Sequence, residues 1–206
     1  MRLSDSGMRD PQYTKQKIVE VAANEMRHFG YKATNLADIL KKSNVSKGAL
    51  YHHFANKQEL GYEVFESVFM EEFLEVSRQM TSGEAPLDTF CHTLDAMVDQ
   101  ITDDELQCGC PVNSISQEMS ADDEGFRQRT LKMYEKKKHV FKEMLIQCQQ
   151  KGQVRQDVDV DTAAIFLVSS MQGMASIGKA SRDKELLRQV VAGIKTYVDG
   201  LKVQNK

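Results

Sequence analysis

Residues 43–60 read SNVSKGALYHHFANKQEL. Lys47, His52, His53 and Lys57 make the stretch basic, Tyr51 stands among them, and Glu59 is its only acid. Its pattern is helical. Asn44 tolerates the left-handed conformation of a tight turn, and Ser46 is a good N-cap for a short helix over residues 47–53. Leu50 and Phe54, four apart, fall on one side of that helix and hold it to whatever lies beneath. Asn56, with Glu59 three residues on, opens the next helix in the manner of a capping box. Upstream, Thr34 is the expected N-cap of a two-turn helix over residues 35–42, with Leu36, Ile39 and Leu40 inward. Helix, four-residue turn and short helix together form a helix-turn-helix pattern. Its second helix is small enough for a major groove and presents donors on its outer side. The helix starts at Thr34 and Asn35 and at Asn56 and Lys57 offer backbone N–H groups to phosphates on either side.

Charge agrees with this reading. The chain of 206 residues carries a formal net charge of −3, yet residues 13–58 hold eight bases and three acids. That segment is therefore +5 and the rest of the chain −8, a split that points to a polyanionic partner for the segment alone.

Working outward, 41% hydrophobic and 28% charged residues, with only 3 prolines and 12 glycines, favour an all-α globular chain. Pro11 opens a first helix that Gly30 is placed to end. The fourth helix runs to about residue 80. Its apolar positions form two adjacent rows, Leu60, Val64 and Val68, then Tyr62, Phe65, Phe69 and Phe73, as in a helix joining two domains. The break TSGEAP follows, and further helices are expected at 86–102, 112–119, 124–151, 161–179 and 183–203. The division is a small helix-turn-helix domain over 11–58 and a larger helical domain over 59–206, to which the family resemblance described below assigns DNA binding and regulation with dimerisation respectively. The last two helices have apolar stripes and small residues suited equally to packing on a second copy and to burial inside one subunit. The longest apolar run is AAIFLV at 163–168, so no membrane span is expected. The opening MRLSDSGMRDPQ lacks the apolar core of a signal peptide. Four cysteines without an export signal point to reduced thiols in the cytoplasm.

The run GYKATNLADILKKSNVSKGALYHHFANKQEL resembles the N-terminal domain of the TetR family of bacterial transcriptional regulators. The pattern is Phe-Gly before the second helix, a Thr ahead of it, Val-Ser-Lys-Gly-x-Leu-Tyr-x-x-Phe, then x-Lys-x-x-Leu, and the match covers residues 15–60. The resemblance implies phosphate contacts from Thr34, Tyr51 and Lys57. It implies base-edge or backbone contacts from Asn35, Ser46, Lys47, Gly48, Ala49 and His52, with Gly48 and Ala49 small enough for close approach and Ala49 able to touch a thymine methyl. It also implies a homodimer on a palindromic operator in double-stranded DNA, repression, and a small-molecule inducer bound by the larger domain. Ser43-Asn44 replaces the Ala-Gly usual in the turn. His53 reads equally as a packing residue at the helix end.

In the larger domain, QCGCPVNSISQEM places Cys108 and Cys110 just before a helix. The dipole and free N–H groups of a helix start favour a thiolate there, open to alkylation or to oxidation to sulfenic acid. The segment resembles the NemR-like branch of the family, which answers reactive electrophiles and oxidants. Gly109-Cys110, Ser116-Gln117-Glu118 and Lys179 occupy the branch's positions, although Pro111 replaces its aliphatic residue. The sensor candidates are thus Cys110, Cys108 as a partner thiol, and Lys179. The plainer reading is an inert Cys110 in a pocket wall, with Cys91 and Cys148 packing inside helices and Met171 and Met174 lining a pliable apolar cavity. Cys-x-Cys is a poor zinc motif, so Cys108, Cys110, His92 and His139 are not expected to form a metal site, and no cofactor is expected. A thiol enzyme using Cys110 with His92 or His139 lacks an oxyanion-type glycine loop. A DNA-binding dimer without an inducer is the remaining alternative.

Overall fold

The computed structural model describes residues 11–204, so the N-terminal reading MRLSDSGMRD lies outside the described residues. Eleven α-helices and one π turn follow in order: α1 Pro11–Ala33, α2 Leu36–Ser43, α3 Lys47–His53, α4 Lys57–Val64, the π turn Phe65–Phe69, α5 Met70–Met80, α6 Pro86–Gln100, α7 Asp103–Cys108, α8 Pro111–Met119, α9 Glu124–Gln150, α10 Val160–Ser181 and α11 Lys184–Leu201. Among the described residues there is no strand, only one antiparallel bridge, between Val154 and Lys202.

Local chemistry explains most of these boundaries. Gly30 takes φ +78° inside α1 and breaks its line before a last turn to Ala33. Thr34 was the expected cap of α2, but Asn35 does that work: its side chain accepts from the Ala37 N–H, while the Thr34 hydroxyl turns back to the Gly30 carbonyl at 2.6 Å. Asn44 adopts φ 51°, ψ 42° and returns its N–H to the Leu40 carbonyl, so the turn forms without the usual glycine. Ser46 caps α3 through the Ala49 N–H. Asn56 caps α4 through the Glu59 N–H, and the Glu59 carboxylate accepts from Ala55 rather than from Asn56, a capping box displaced by one residue.

The two apolar rows of the fourth helix have a cause the sequence conceals. α4 and α5 are one rod interrupted by the π turn, which adds a residue and moves the buried side from Leu60, Gly61 and Val64 to Met70, Leu74, Ser77 and Met80. A further departure is α7, which falls between the helices expected at 86–102 and 112–119. Thr102 and Glu105 cap it reciprocally, which stabilises six residues that are too short for periodicity to reveal.

Two hydrophobic clusters fill the interior. One is built from α6, α9, α10 and α11, joined by Leu106 of α7. The other takes Ile18, Ala22 and Met26 of α1, Ile39 of α2, Leu50 of α3 and the α4–α5 rod together with Val112, Ile115 and Met119 of α8 and Phe126 and Met133 of α9. The division expected between residues 58 and 59 therefore falls inside a shared cluster. α10 also corrects an expectation. By length and composition it is apolar enough to cross a membrane, with a mean hydropathy of 1.3 over its best window, of which 33% is buried within the chain; core helices of soluble proteins pass the same test.

Candidate nucleic-acid interface and sensor cavity

α3 stands on Leu50 and Phe54, which are 0% and 4% exposed. Its other side faces outward: Ser46, Lys47, Gly48, Tyr51 and His52 are exposed and Ala49 half-buried, as is His53. A Cβ added at Gly48 meets nothing within 4 Å. The Lys47 ammonium lies 5.8 Å from the centre of the Tyr51 ring, so the two form one cationic, hydrogen-bonding ridge.

Two proposed phosphate contacts are placed differently. Thr34 is 3% exposed and its hydroxyl is engaged internally; it fixes the entry to α2 instead of facing outward. Lys57 leans over the Tyr31 ring at 4.7 Å and donates to the Lys32 carbonyl at 3.0 Å, and burial lowers its pKa. Two of its three N–H donors remain for a phosphate.

The basic excess is also less free than the count implied. Lys15 pairs with Glu63, Arg27 with Glu72, Lys32 with Asp122 and Lys42 with the buried Glu25. Three of those four carboxylates lie outside residues 13–58, so part of the +5 is matched by the rest of the chain. Lys17, Lys41 and Lys47 have no ion pair among the described residues, and of these Lys47 lies on the ridge.

Beneath this head, α8 packs in the second cluster and reaches α10 through Asn113, whose amide donates to the Ser176 hydroxyl at 2.6 Å. The Glu118 carboxylate accepts from the backbone N–H of Tyr31 at 2.8 Å and of Lys32 at 2.7 Å. Just beyond α8, Asp122 pairs with Lys32 at 2.6 Å. Asp123 accepts from the Tyr62 hydroxyl at 2.6 Å and from Gln58. Phe126 packs among Tyr31, Tyr62 and Phe65, with ring centres 4.7, 4.9 and 6.2 Å away.

The opposite end of α8 enters a cavity of about 630 Å³ between α5, α7, α9 and α10, a size suited to a small organic molecule. Cys110, Met171, Met174 and Lys179 line it, and His92 and His139 are not among its lining residues. Cys110 is half-buried and precedes α8 as its N-cap. Cys108 points into the protein at 3% exposure, and burial raises its thiol pKa, opposite to the activation expected of a thiolate. Lys179 passes across Gly109, where an added Cβ would come 3.0 Å from its own, and its ammonium donates to Ser114 at 3.1 Å. Among the described residues, the metal-type donors gathered within 4.8 Å of one another are His28, Asp104 and Cys108.

Sequence reasoning missed Lys137. It lies in the α9 stripe Met133–Lys137–Phe141, is 2% exposed, and borders the cavity. Its ammonium sits 3.5 Å from the centre of the Phe73 ring and has no hydrogen-bond or ion-pair partner among the described residues. Burial lowers its pKa to about 7. Between pH 7 and the ordinary lysine value the unfolded chain holds a proton that the folded chain does not, so stability rises with pH across that window. Lys137→Met is therefore expected to stabilise the protein most below pH 7 and progressively less towards pH 10. Denaturant midpoints of both chains across that range check this, and a constant difference would contradict the burial of an unpaired amine.

A short helix with a donor-bearing outer side, set on its partner helix by a three-residue turn over 44–46, is the DNA-reading element of a helix-turn-helix transcriptional regulator. Residues 18–64 match the family model for bacterial regulatory proteins of the tetR family, and residues 86–194 match the model for the tetracyclin repressor-like C-terminal domain. The chain belongs to the TetR family of bacterial transcriptional regulators. It is similar to the HTH-type transcriptional repressor DhaR of Mycobacterium sp. (strain GP1), 27% identical over 85% of this chain and 87% of that protein. In fold it resembles a TetR-family regulator from Cytophaga hutchinsonii, with a TM-score of 0.86 at 19% identity over 100% of both chains. It also resembles the reduced form of E. coli NemR, with a TM-score of 0.78 at 20% identity over 93% of this chain and 98% of that one.

Proposed function

We propose that this chain is a homodimeric repressor that reads a palindromic operator in the cytoplasm through α3. The operator is released when the cavity takes up a small molecule or when Cys110 is modified. The observation that carries this reading is α8. Its nine residues span about 13 Å, from Cys110 at the cavity to Glu118, whose carboxylate holds the base of the reading head. A change at the cavity end moves that carboxylate, and with it the spacing of two reading helices on successive major grooves.

The outer side of α10 and α11 supports a second copy there. Ile165, Phe166 and Ile177 are exposed, and added Cβ atoms at Gly173, Gly193 and Gly200 meet nothing within 4 Å, so another helix can approach closely. Gly109-Cys110, Glu118 and Lys179 all lie along the cavity–α8 axis, which supports the electrophile-sensing version. In it the Cys110 thiolate adds to an activated double bond, and the carbon beside the carbonyl takes a proton from water.

The decisive experiment measures binding of reduced protein to DNA from its own promoter region, before and after one thiol electrophile and one oxidant, for wild type and Cys110→Ser. Release of the wild type alone establishes the thiol as the switch. Equal behaviour of the two proteins removes Cys110 as the switch and turns the search to a non-covalent ligand in the larger domain. Lys57→Ala is expected to weaken binding to all sequences and to reduce the slope of log affinity against log salt by about one. An unchanged slope removes Lys57 from the phosphate contacts.

A further inference from the structure

The cavity's unmatched polar groups are donors. Lys137 is 98% buried by its 2% exposure and lacks any ion-pair or hydrogen-bond partner among the described residues, and the terminal amide nitrogen of Gln172 is buried without a partner. Both border the same space, as does the start of α8, whose N-cap Cys110 makes no side-chain cap. The acceptors at the rim are already engaged. Glu72 is bound by Arg27 through both oxygens at 3.0 Å, and Glu105 closes the cap of α7 with Thr102. Much of the remaining wall is apolar, with Phe69, Phe73, Met171 and Met174, while Ser77, Gln100 and Lys179 add polar groups. A buried ammonium with only an aromatic ring against it is costly, and an anion brought in by a ligand offsets that cost.

From this we infer that the cavity binds a compact organic acid, its carboxylate paired with Lys137 and its aromatic or aliphatic body against Phe73 and the methionines. The inference names the ligand class for the cavity in the functional reading above and rests on that reading only for its effect on DNA. The charged and titratable groups around Lys137 are Cys110 at the start of α8, Tyr134 on its own helix, the Arg27–Glu72 pair across the cavity, Glu105 of α7 and Lys179 of α10. None of these supplies a carboxylate to the ammonium.

The test is calorimetry on the full-length reduced protein without DNA. The probes are 3-phenylpropionate, 2-naphthoate and octanoate, each beside its primary amide. At pH 6.5 at least one acid is expected to bind tenfold or more tighter than its amide. The preference should disappear in Lys137→Met and survive in Lys137→Arg, with thermal midpoints confirming that both variants are folded. At pH 8 acid binding should take up a proton, seen as a heat that changes between Tris and phosphate buffers. The inference is overturned if no acid binds, if amides bind as tightly, or if the preference persists in Lys137→Met. A parallel titration of operator-bound protein separates the two claims. Acids that bind without releasing DNA leave the inference standing and remove the inducer reading. Release by the thiol electrophile with no acid bound does the reverse.

Discussion

Gly48→Glu is expected to abolish operator binding while leaving the fold intact. Position 48 lies in the first turn of α3, its added Cβ meets nothing within 4 Å, and a carboxylate in a helix's first turn is favoured by the dipole. Any other ordinary residue also has a better helix propensity than glycine, by up to ~1 kcal/mol. The folded protein should thus be as stable as the wild type or slightly more so. Against DNA the same side chain puts a negative charge beside Lys47 and Tyr51 on the ridge that must enter the groove. A loss on the order of a hundredfold, ~3 kcal/mol, should appear in fluorescence anisotropy with an operator duplex, alongside an unchanged thermal midpoint. Retained affinity would show that α3 is not the element that enters DNA.

Phe126→Ala should have the largest effect on stability. The ring is 0% exposed and is the common neighbour of Tyr31, Tyr62 and Phe65. Truncating a buried phenylalanine costs about 3–5 kcal/mol, which for a chain of this size lowers the thermal midpoint by on the order of 10 °C. The surroundings have little freedom to collapse into the void. At Gly61 even an added methyl would press against the Tyr31 ring at 2.6 Å and the Phe126 ring at 3.0 Å, so these rings already lie directly on the α4 backbone. Because this cluster joins the reading head to α9, the substitution should also weaken the response of DNA binding to modification at Cys110. A destabilisation under about 1 kcal/mol would mean that the site repacks freely.

The reading head was legible because its signals are local. Ser46, Asn44 and Leu50–Phe54 each act within one turn of chain, and the same contacts recur in three dimensions. Where the cap belonged to Asn35 instead of Thr34, both residues were chemically able and only the backbone geometry decides. The π turn and α7 were hidden for a different reason. A single extra residue blurs one stripe into two, and six residues are too few to show a period. Charge counting overestimated the free basic surface because it cannot see long-range pairs such as Lys15–Glu63 and Arg27–Glu72. Lys137 did leave a trace: Phe126, Thr130, Met133, Lys137, Phe141 and Met144 mark the buried side of α9, and a lysine in that series is out of place unless it has work to do. The sensor segment gave its helix start and its cysteines, but not their depths. Cys108 and Cys110, two residues apart, end up on opposite sides of the wall.

The π turn at Phe65–Phe69 also bears on how this chain tolerates changes in length. Each α-helical residue turns the chain by about 100°, so one residue gained or lost in an ordinary rod would swing the cavity-facing half away from its wall. Here the extra residue is stored in the turn, with Glu66 and Ser67 exposed on its outer side. Removing one of them lets the buried positions from Leu60 to Met80 close into a single α-helical stripe, with both halves still facing their present neighbours. A chain shortened by one residue at the turn is therefore expected to keep its reading head in register with the cavity, where the same deletion in an uninterrupted helix would rotate the two apart.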